Sequence, residues 1–335
     1  MNHTFRKWIL CALASTAFAH AAETPTTPQL QEDFLKWKFG MFIHFHLATY
    51  HEREWANGYE DPLTFAPEKL DCQQWADACK AAGMKYAVLT TKHTEGYALW
   101  DSKHTDHDIT AFTNYKNGKG DIVREYVDAF RKSGLKVGLY YCMPGNYSKG
   151  NLPEGKPDLH GLPPEAKGDF VGFIKKQLTE LLVNYGPIDL LWIDQYNNNY
   201  TAKAWPEIKA HVKSLQPACI VIANNSLDNK LTDIHSYEYP WLVAKKIKKT
   251  LPAADNTHAA EVCDIMGPAW FWKSTENSSN LKTAEEIVKM VKLCNDRRSN
   301  YLLNVAPDKS GLIPDYTLER LREVGQLLAK EPSGN

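Results

Sequence analysis

The amino-acid sequence predicts a (β/α)8 barrel built as a single domain. Three observations carry that expectation: short apolar runs alternate with amphipathic segments, eight such runs can be counted along the 335 residues, and no glycine-rich dinucleotide fingerprint follows any of them. A continuous run such as Leu190-Leu191-Trp192-Ile193 reads as a strand covered on both faces, as in a parallel sheet.

The predicted strands are 40–47, 86–91, 136–142, 188–193, 219–223, 234–239, 258–265 and 301–305. Helices fall between them. Asp71 caps a segment that ends at Gly83, and Asp121 opens one that ends at Gly134. Residues 168–185 are apolar at helical spacing and stop before Gly186-Pro187, and further helices are predicted over 205–216, 283–297 and 314–330. The Gly- and Pro-rich stretch 143–168 reads as a long loop over the barrel mouth.

Composition narrows the function classes. Asp plus Glu number 40 against 39 Lys plus Arg, a formal net charge of -1, so the basic excess that phosphate recognition requires is missing and nucleic acid is not an expected partner. Aromatic residues make up 11%, including 10 Trp and 16 Tyr, which suits a stacking surface as well as a large core. Residues 1–21 read as a secretory leader: Arg6 and Lys7 precede an apolar run over 8–19, and Ala19-His20-Ala21 supplies small residues for cleavage. That run is too short to span a bilayer, so an exported protein with its barrel over 22–335 is expected. Of 7 cysteines, Cys72 and Cys79 lie two helical turns apart, too far to bridge each other. The rest form no metal-like cluster and read as small buried residues, with one disulfide open in an oxidising compartment.

Barrel enzymes gather their chemistry at the C-terminal ends of the strands. Those ends carry His44 and His46, Lys92-His93, Tyr140-Tyr141, Asp194, Glu238 and Glu261. Asp194 ends an apolar strand and is followed by polar Gln195-Tyr196-Asn197, which aims its carboxylate into the mouth. A partner carboxyl about 5 to 5.5 Å away would equip it for double-displacement glycoside cleavage, and Glu238 and Glu261 both stand on later strands. His44-Phe45-His46 puts two imidazoles on one strand face, as some metal-dependent hydrolases do, but later strands offer no matching ligands; hydrogen bonding to sugar hydroxyls is the preferred use. No metal and no nucleotide cofactor is expected. Trp55, Trp100, Trp270 and Trp272 are candidate stacking platforms.

Taken in order, these segments resemble the α-L-fucosidases of glycoside hydrolase family 29. Lys38-Phe39-Gly40-Met41-Phe42-Ile43-His44-Phe45 resembles the family's first-strand motif, and Glu54-Trp55, Gly58, Glu60-Asp61-Pro62 and Phe65 continue it. Thr91-Lys92-His93, Gly138-Leu139-Tyr140, Leu190-Leu191-Trp192-Ile193-Asp194, Glu261-Val262-Cys263-Asp264, Pro268-Ala269-Trp270-Phe271 and Leu302-Leu303-Asn304-Val305 follow in the same order.

The resemblance implies a retaining exo-glycosidase acting on a fucosylated glycan, with Asp194 as nucleophile. Glu238, in Ser236-Tyr237-Glu238-Tyr239, is the implied acid/base, with Glu261 the alternative. His44, Glu54, Trp55, His93, Tyr140 and Trp270 match positions that line the fucose pocket. Details such as Glu60-Asp61-Pro62 are most similar to the branch acting on α-1,3/1,4-linked fucose. Two departures stand out: His46 replaces a usual glycine, which is expected to add a polar group at the mouth, and Thr94-Glu95 replaces the His-Asp of the family's Lys-His-His-Asp-Gly-Phe motif. These departures keep open a glycan-binding relative that has lost or changed catalysis. The usual C-terminal β-sandwich is not expected.

Overall fold

In the computed structural model, residues 24–144, 152–159, 161–166, 168–198, 200–248 and 250–330 are described. Eight strands among them form one parallel sheet: β1 Phe39–Ile43, β2 Tyr86–Lys92, β3 Lys136–Cys142, β4 Leu190–Asp194, β5 Ile220–Ala223, β6 His235–Glu238, β7 Ala260–Ile265 and β8 Ser299–Asn304. Their order is β5-β4-β3-β2-β1-β8-β7-β6, so the sheet curls until its two edge strands, β5 and β6, face each other. Side chains bridge that seam. Val221 N–H donates to the Asp233 carboxylate at 2.9 Å and Ala223 N–H to Thr232 Oγ1 at 3.0 Å, while Asp233 N–H donates to the Val221 carbonyl at 2.8 Å. Lys209 and Lys213 hold Asp233 in place at 2.9 and 2.6 Å. The edge groups of a short strand are thereby satisfied without a full ladder.

Helices cover the outside. Those that the sequence predicts are α3 Cys72–Ala81, α4 Ile122–Lys132, α5 Phe170–Asn184, α6 Trp205–Leu215, α8 Ala284–Asn295 and α9 Asp315–Lys330. Asp71, Asp121, Asp169 and Thr283 cap four of them by accepting backbone N–H groups. Three helices are additional: α1 Thr27–Leu35, α2 Leu47–His51 and α7 Tyr239–Ala244. The predicted first strand overruns, because the chain turns into α2 at Leu47. α1 starts on a capping box between Thr26 and Gln29 and seats Leu30 and Phe34 under the barrel, where Phe34 packs edge-on against Tyr86.

Two apolar layers result. Met41, Ile43, Leu89, Leu191 and Ile193 face the helices, whereas Phe42, Tyr86, Val88, Tyr140, Leu190, Trp192 and Leu302 fill the barrel interior. That alternation has period two, so it fixes which side chains can reach the mouth. The six cysteines from Cys72 to Cys294 are buried thiols, which removes the expected option of a disulfide. No helix among the described residues is long and apolar enough to cross a membrane. The leader lies outside the described residues, as does part of the loop over 143–168.

Candidate active site

Inward-facing positions at the ends of several strands deliver residues to the mouth. On β4, Leu190 and Trp192 point inward and Asp194 continues that face; on β6 the outward Tyr237 leaves Ser236 and Glu238 facing in. β1 carries Phe42 inward and His44 just beyond its end. β2 would present Lys92 rather than His93, but its pairing with β3 shifts register between Thr90 and Lys92. This bulge turns Lys92 out, where its ammonium donates to the Cys142 carbonyl at 2.8 Å and lies 4.4 Å from the Tyr141 ring centroid. His93 then faces the cavity.

Asp194 and Glu238 share one donor. The Asn224 Nδ2 group donates to Asp194 Oδ1 at 3.0 Å and to Glu238 Oε2 at 2.8 Å. Two such bonds from one nitrogen keep the two accepting oxygens no more than about 5.8 Å apart, which is compatible with the ~5 to 5.5 Å separation of a retaining pair. Asp194 also accepts from Tyr140 OH at 3.0 Å and from Gln195 N–H at 2.8 Å. Glu238 accepts further from Asn225 Nδ2 at 3.2 Å. Burial and the Asp194 charge together push the Glu238 carboxyl up to about 7, against the two Asn donors.

The whole cavity measures about 230 Å³, and around the carboxyl pair it is lined mainly by aromatic and polar groups. Phe42, Tyr140 and Trp192 form its floor, with Tyr140 stacked on Trp192 at 5.4 Å. His44 is buried, and its Nδ1 lies 2.7 Å from Asn304 Oδ1. Because Asn304 donates its Nδ2 to the Trp270 carbonyl at 2.7 Å, the oxygen must face the histidine, so His44 Nδ1 carries the hydrogen. Burial and His93 hold His44 well below its ordinary value, so it is neutral and Nε2 is an acceptor.

Glu54 accepts the Trp270 N–H at 3.1 Å, joining the loops after β1 and β7. Glu60 ties down the Trp55 loop by accepting the N–H groups of Asn57 and Gly58 at 2.9 and 2.8 Å. Thr94 Oγ1 donates to the Ala56 carbonyl at 2.9 Å, and Tyr59 OH to the Pro157 carbonyl at 2.8 Å. Gly96 closes the same region: its φ is +89° and a Cβ would meet the Gly161 carbonyl oxygen at 2.7 Å.

His46 is not at the mouth. It is fully buried and forms a salt bridge with Glu95, which belongs to the other departure from the family's motifs, Thr94-Glu95. Glu95 Oε2 also lies 3.7 Å from His93 Nδ1. Burial alone would raise Glu95, but His46 and then His93 outweigh it and hold the carboxyl well below its usual range. His44 and His46 therefore take different partners on different sides, which overturns the paired-ligand reading of the two imidazoles.

Glu261 lies in the barrel interior, level with Ser236 and one layer deeper than Glu238. Tyr86 OH and Trp192 Nε1 donate to its two oxygens at 2.6 and 2.9 Å, and it does not line the cavity. Trp100 is buried with its Nε1 on Glu180, and Trp272 donates to Tyr316; neither lines the cavity, whereas Trp55 and Trp270 do. Asn224, Trp192 and Trp241 line it too and escaped the sequence reading. Asn224 is the first polar residue after a predicted strand, so the strand-end rule points to it; nothing in the local sequence marks Trp241.

The profile of the Alpha-L-fucosidase family matches residues 46–332. Alpha-L-fucosidase 1 of Arabidopsis thaliana is 26% identical over 327 residues, covering 90% of this chain and 61% of the relative. This chain spans about three fifths of the length of the curated plant relatives it matches. Among solved structures, alpha-L-fucosidase isoenzyme 1 from Paenibacillus thiaminolyticus superposes with a TM-score of 0.74 at 30% identity, covering 90% of this chain and 76% of that one. Alpha-L-fucosidase AlfC from Lactobacillus casei, in complex with alpha-L-fucose product, gives 0.69 at 26% identity, with 90% and 98% covered.

Proposed function

The chain belongs to the Alpha-L-fucosidase family, and on that premise we propose that it is an exo-acting, retaining α-L-fucosidase that releases fucose from oligosaccharides or glycans. The observation that carries the proposal is the Asn224 amide shared by Asp194 and Glu238, which supports a carboxyl pair at double-displacement spacing.

Asp194 attacks the anomeric carbon. Its carboxylate is oriented by Tyr140 OH and Gln195 N–H, so the attacking oxygen has little freedom to lose. As the bond to the leaving oxygen breaks, Glu238 gives that oxygen its proton; a carboxyl raised to about 7 still holds one near neutrality. Ester formation then removes the Asp194 charge, which lowers the Glu238 pKa and suits it to take a proton from water. That water adds to the anomeric carbon from the side the leaving group vacated, and Asp194 departs as carboxylate.

His44 Nε2 accepts a sugar hydroxyl, while His93, Glu54, Trp55 and Trp270 complete the pocket around the ring. The two carboxyls suffice for the bond changes, so no cofactor enters the proposal. Export is proposed on the leader-like residues 1–21, and a preference for α-1,3/1,4-linked fucose on Glu60-Asp61-Pro62 and Pro268-Ala269-Trp270-Phe271. The test is fucose release from 4-nitrophenyl α-L-fucoside and from linkage-defined oligosaccharides. Turnover that Asp194→Ala lowers by more than ~10³-fold supports the reading, and turnover that survives this change refutes it.

A further inference from the structure

We propose that Trp241 and the wall of α7 form a subsite for the departing sugar, so that the protein favours pyranosyl leaving groups over small ones. The inference rests on the fucosidase reading and extends it from the sugar released to the group left behind.

The argument begins with the position of α7. Glu238 ends β6, and α7 starts at the next residue with Pro240 in its first turn, so the helix entry is set immediately after the acid. Pro240, Trp241 and Ala244 all line the cavity that holds Asp194 and Glu238. A general acid must reach the oxygen between the two sugars, so whatever lies beyond that oxygen meets the surface next to the acid on its solvent side. Trp241 follows Glu238 on this wall and is 44% exposed, whereas His44, His93, Tyr140 and Trp192 in the depth of the cavity are 5% exposed or less.

The chemistry of the surface fits a sugar. A pyranose offers a face of C–H bonds, apolar enough to stack on an indole, and hydroxyls at its edge that need polar partners. The Lys245 ammonium lies over one face of the indole, 4.6 Å from its centroid, a contact that braces the ring. Its own exposure shows that the indole is not tucked into a core. Across the mouth's lining, Trp55 is likewise 44% exposed, a second aromatic at the opening.

The test compares kcat/KM for a fucosylated trisaccharide with that for α-L-fucosyl fluoride, whose one-atom leaving group cannot reach the indole. The readout is the ratio of the two constants, which is independent of how much of each variant is folded. Trp241→Ala is expected to lower this ratio about tenfold and Trp241→Phe to restore most of it, with weaker inhibition of Trp241→Ala by the free defucosylated disaccharide. A ratio unmoved by Trp241→Ala, whether both constants fall together or neither falls, overturns the subsite. Wild-type protein inert toward the fluoride overturns the fucosidase reading beneath it, and that result precedes any variant.

Discussion

His46 and Glu95, two of the three residues that depart from the family's motifs, form a salt bridge with neither side chain exposed to solvent. Each departure is therefore explained by the other: a polar imidazole at a usual glycine position is tolerable because a carboxylate waits behind it. Breaking a buried pair from one side leaves an uncompensated charge. Glu95→Gln and His46→Asn should each cost about 3 kcal/mol at pH 7, and the double variant clearly less than the sum, in a double-mutant cycle of denaturant unfolding. The Glu95 pKa is lowered on folding, so this contribution is present above the ordinary carboxyl range near 4.5 and fades as pH falls below it. Costs that add fully at pH 7 would show that the pair is uncoupled.

Asn224 serves both carboxyls, and its loss should appear in the pH profile as well as the rate. Its hydrogen bond favours the charged form of Glu238, so Asn224→Ala raises that pKa further. The alkaline limb of kcat/KM, expected near 7 in the wild type because Glu238 must be protonated to act as acid, should move upward. Turnover should fall about 10²-fold as the carboxyl pair loses its common anchor. An unmoved limb would detach Asn224 from the titration of Glu238.

Asn304 fixes the hydrogen of His44 on Nδ1, and this makes a second electrostatic prediction. Asn304→Asp places a carboxylate 2.7 Å from that nitrogen, favours the imidazolium and converts Nε2 from acceptor to donor. KM for the fucoside should rise by roughly tenfold, more at low pH than at high, because the protonated ring no longer accepts from a sugar hydroxyl. NMR titration of His44 would report the same change directly, and a pKa left in place would refute the mechanism.

Much of this site was legible in the sequence because it obeys period two. Once β4 and β6 are identified, the inward alternation Leu190, Trp192, Asp194 and Ser236, Glu238 follows, and the strand-end rule does the rest. His93 reached the site by a different route, a bulge after Thr90 that no local pattern announces. His46 departs from expectation for a related reason: the predicted strand runs through it, whereas the chain turns into α2 and places the imidazole against Glu95. α1 and α7 have no clear periodic signal because they are short and owe their helices to what they cover, the barrel floor and the cavity wall, more than to a long periodic stretch.

Depth in the barrel is what separates Glu238 from Glu261, since both carboxyls are raised to about 7 by burial. Glu261 has its two oxygens taken by Tyr86 and Trp192 below the cavity, so it has no path to a glycosidic oxygen. Azide distinguishes the roles by stereochemistry. In Asp194→Gly, azide enters on the face the carboxylate vacated and gives the inverted β-fucosyl azide. In Glu238→Ala, the glycosyl-enzyme still forms from an activated aryl fucoside, and azide opens it to the retained α-fucosyl azide. Glu238→Ala should also lose far more activity on oligosaccharides than on the aryl fucoside, because only the poor leaving group needs its proton. Glu261→Gln should yield no fucosyl azide and keep the wild-type ranking of leaving groups, its damage appearing as a lower unfolding midpoint. A retained azide product from the Glu261 variant, and none from Glu238→Ala, would reverse the assignment.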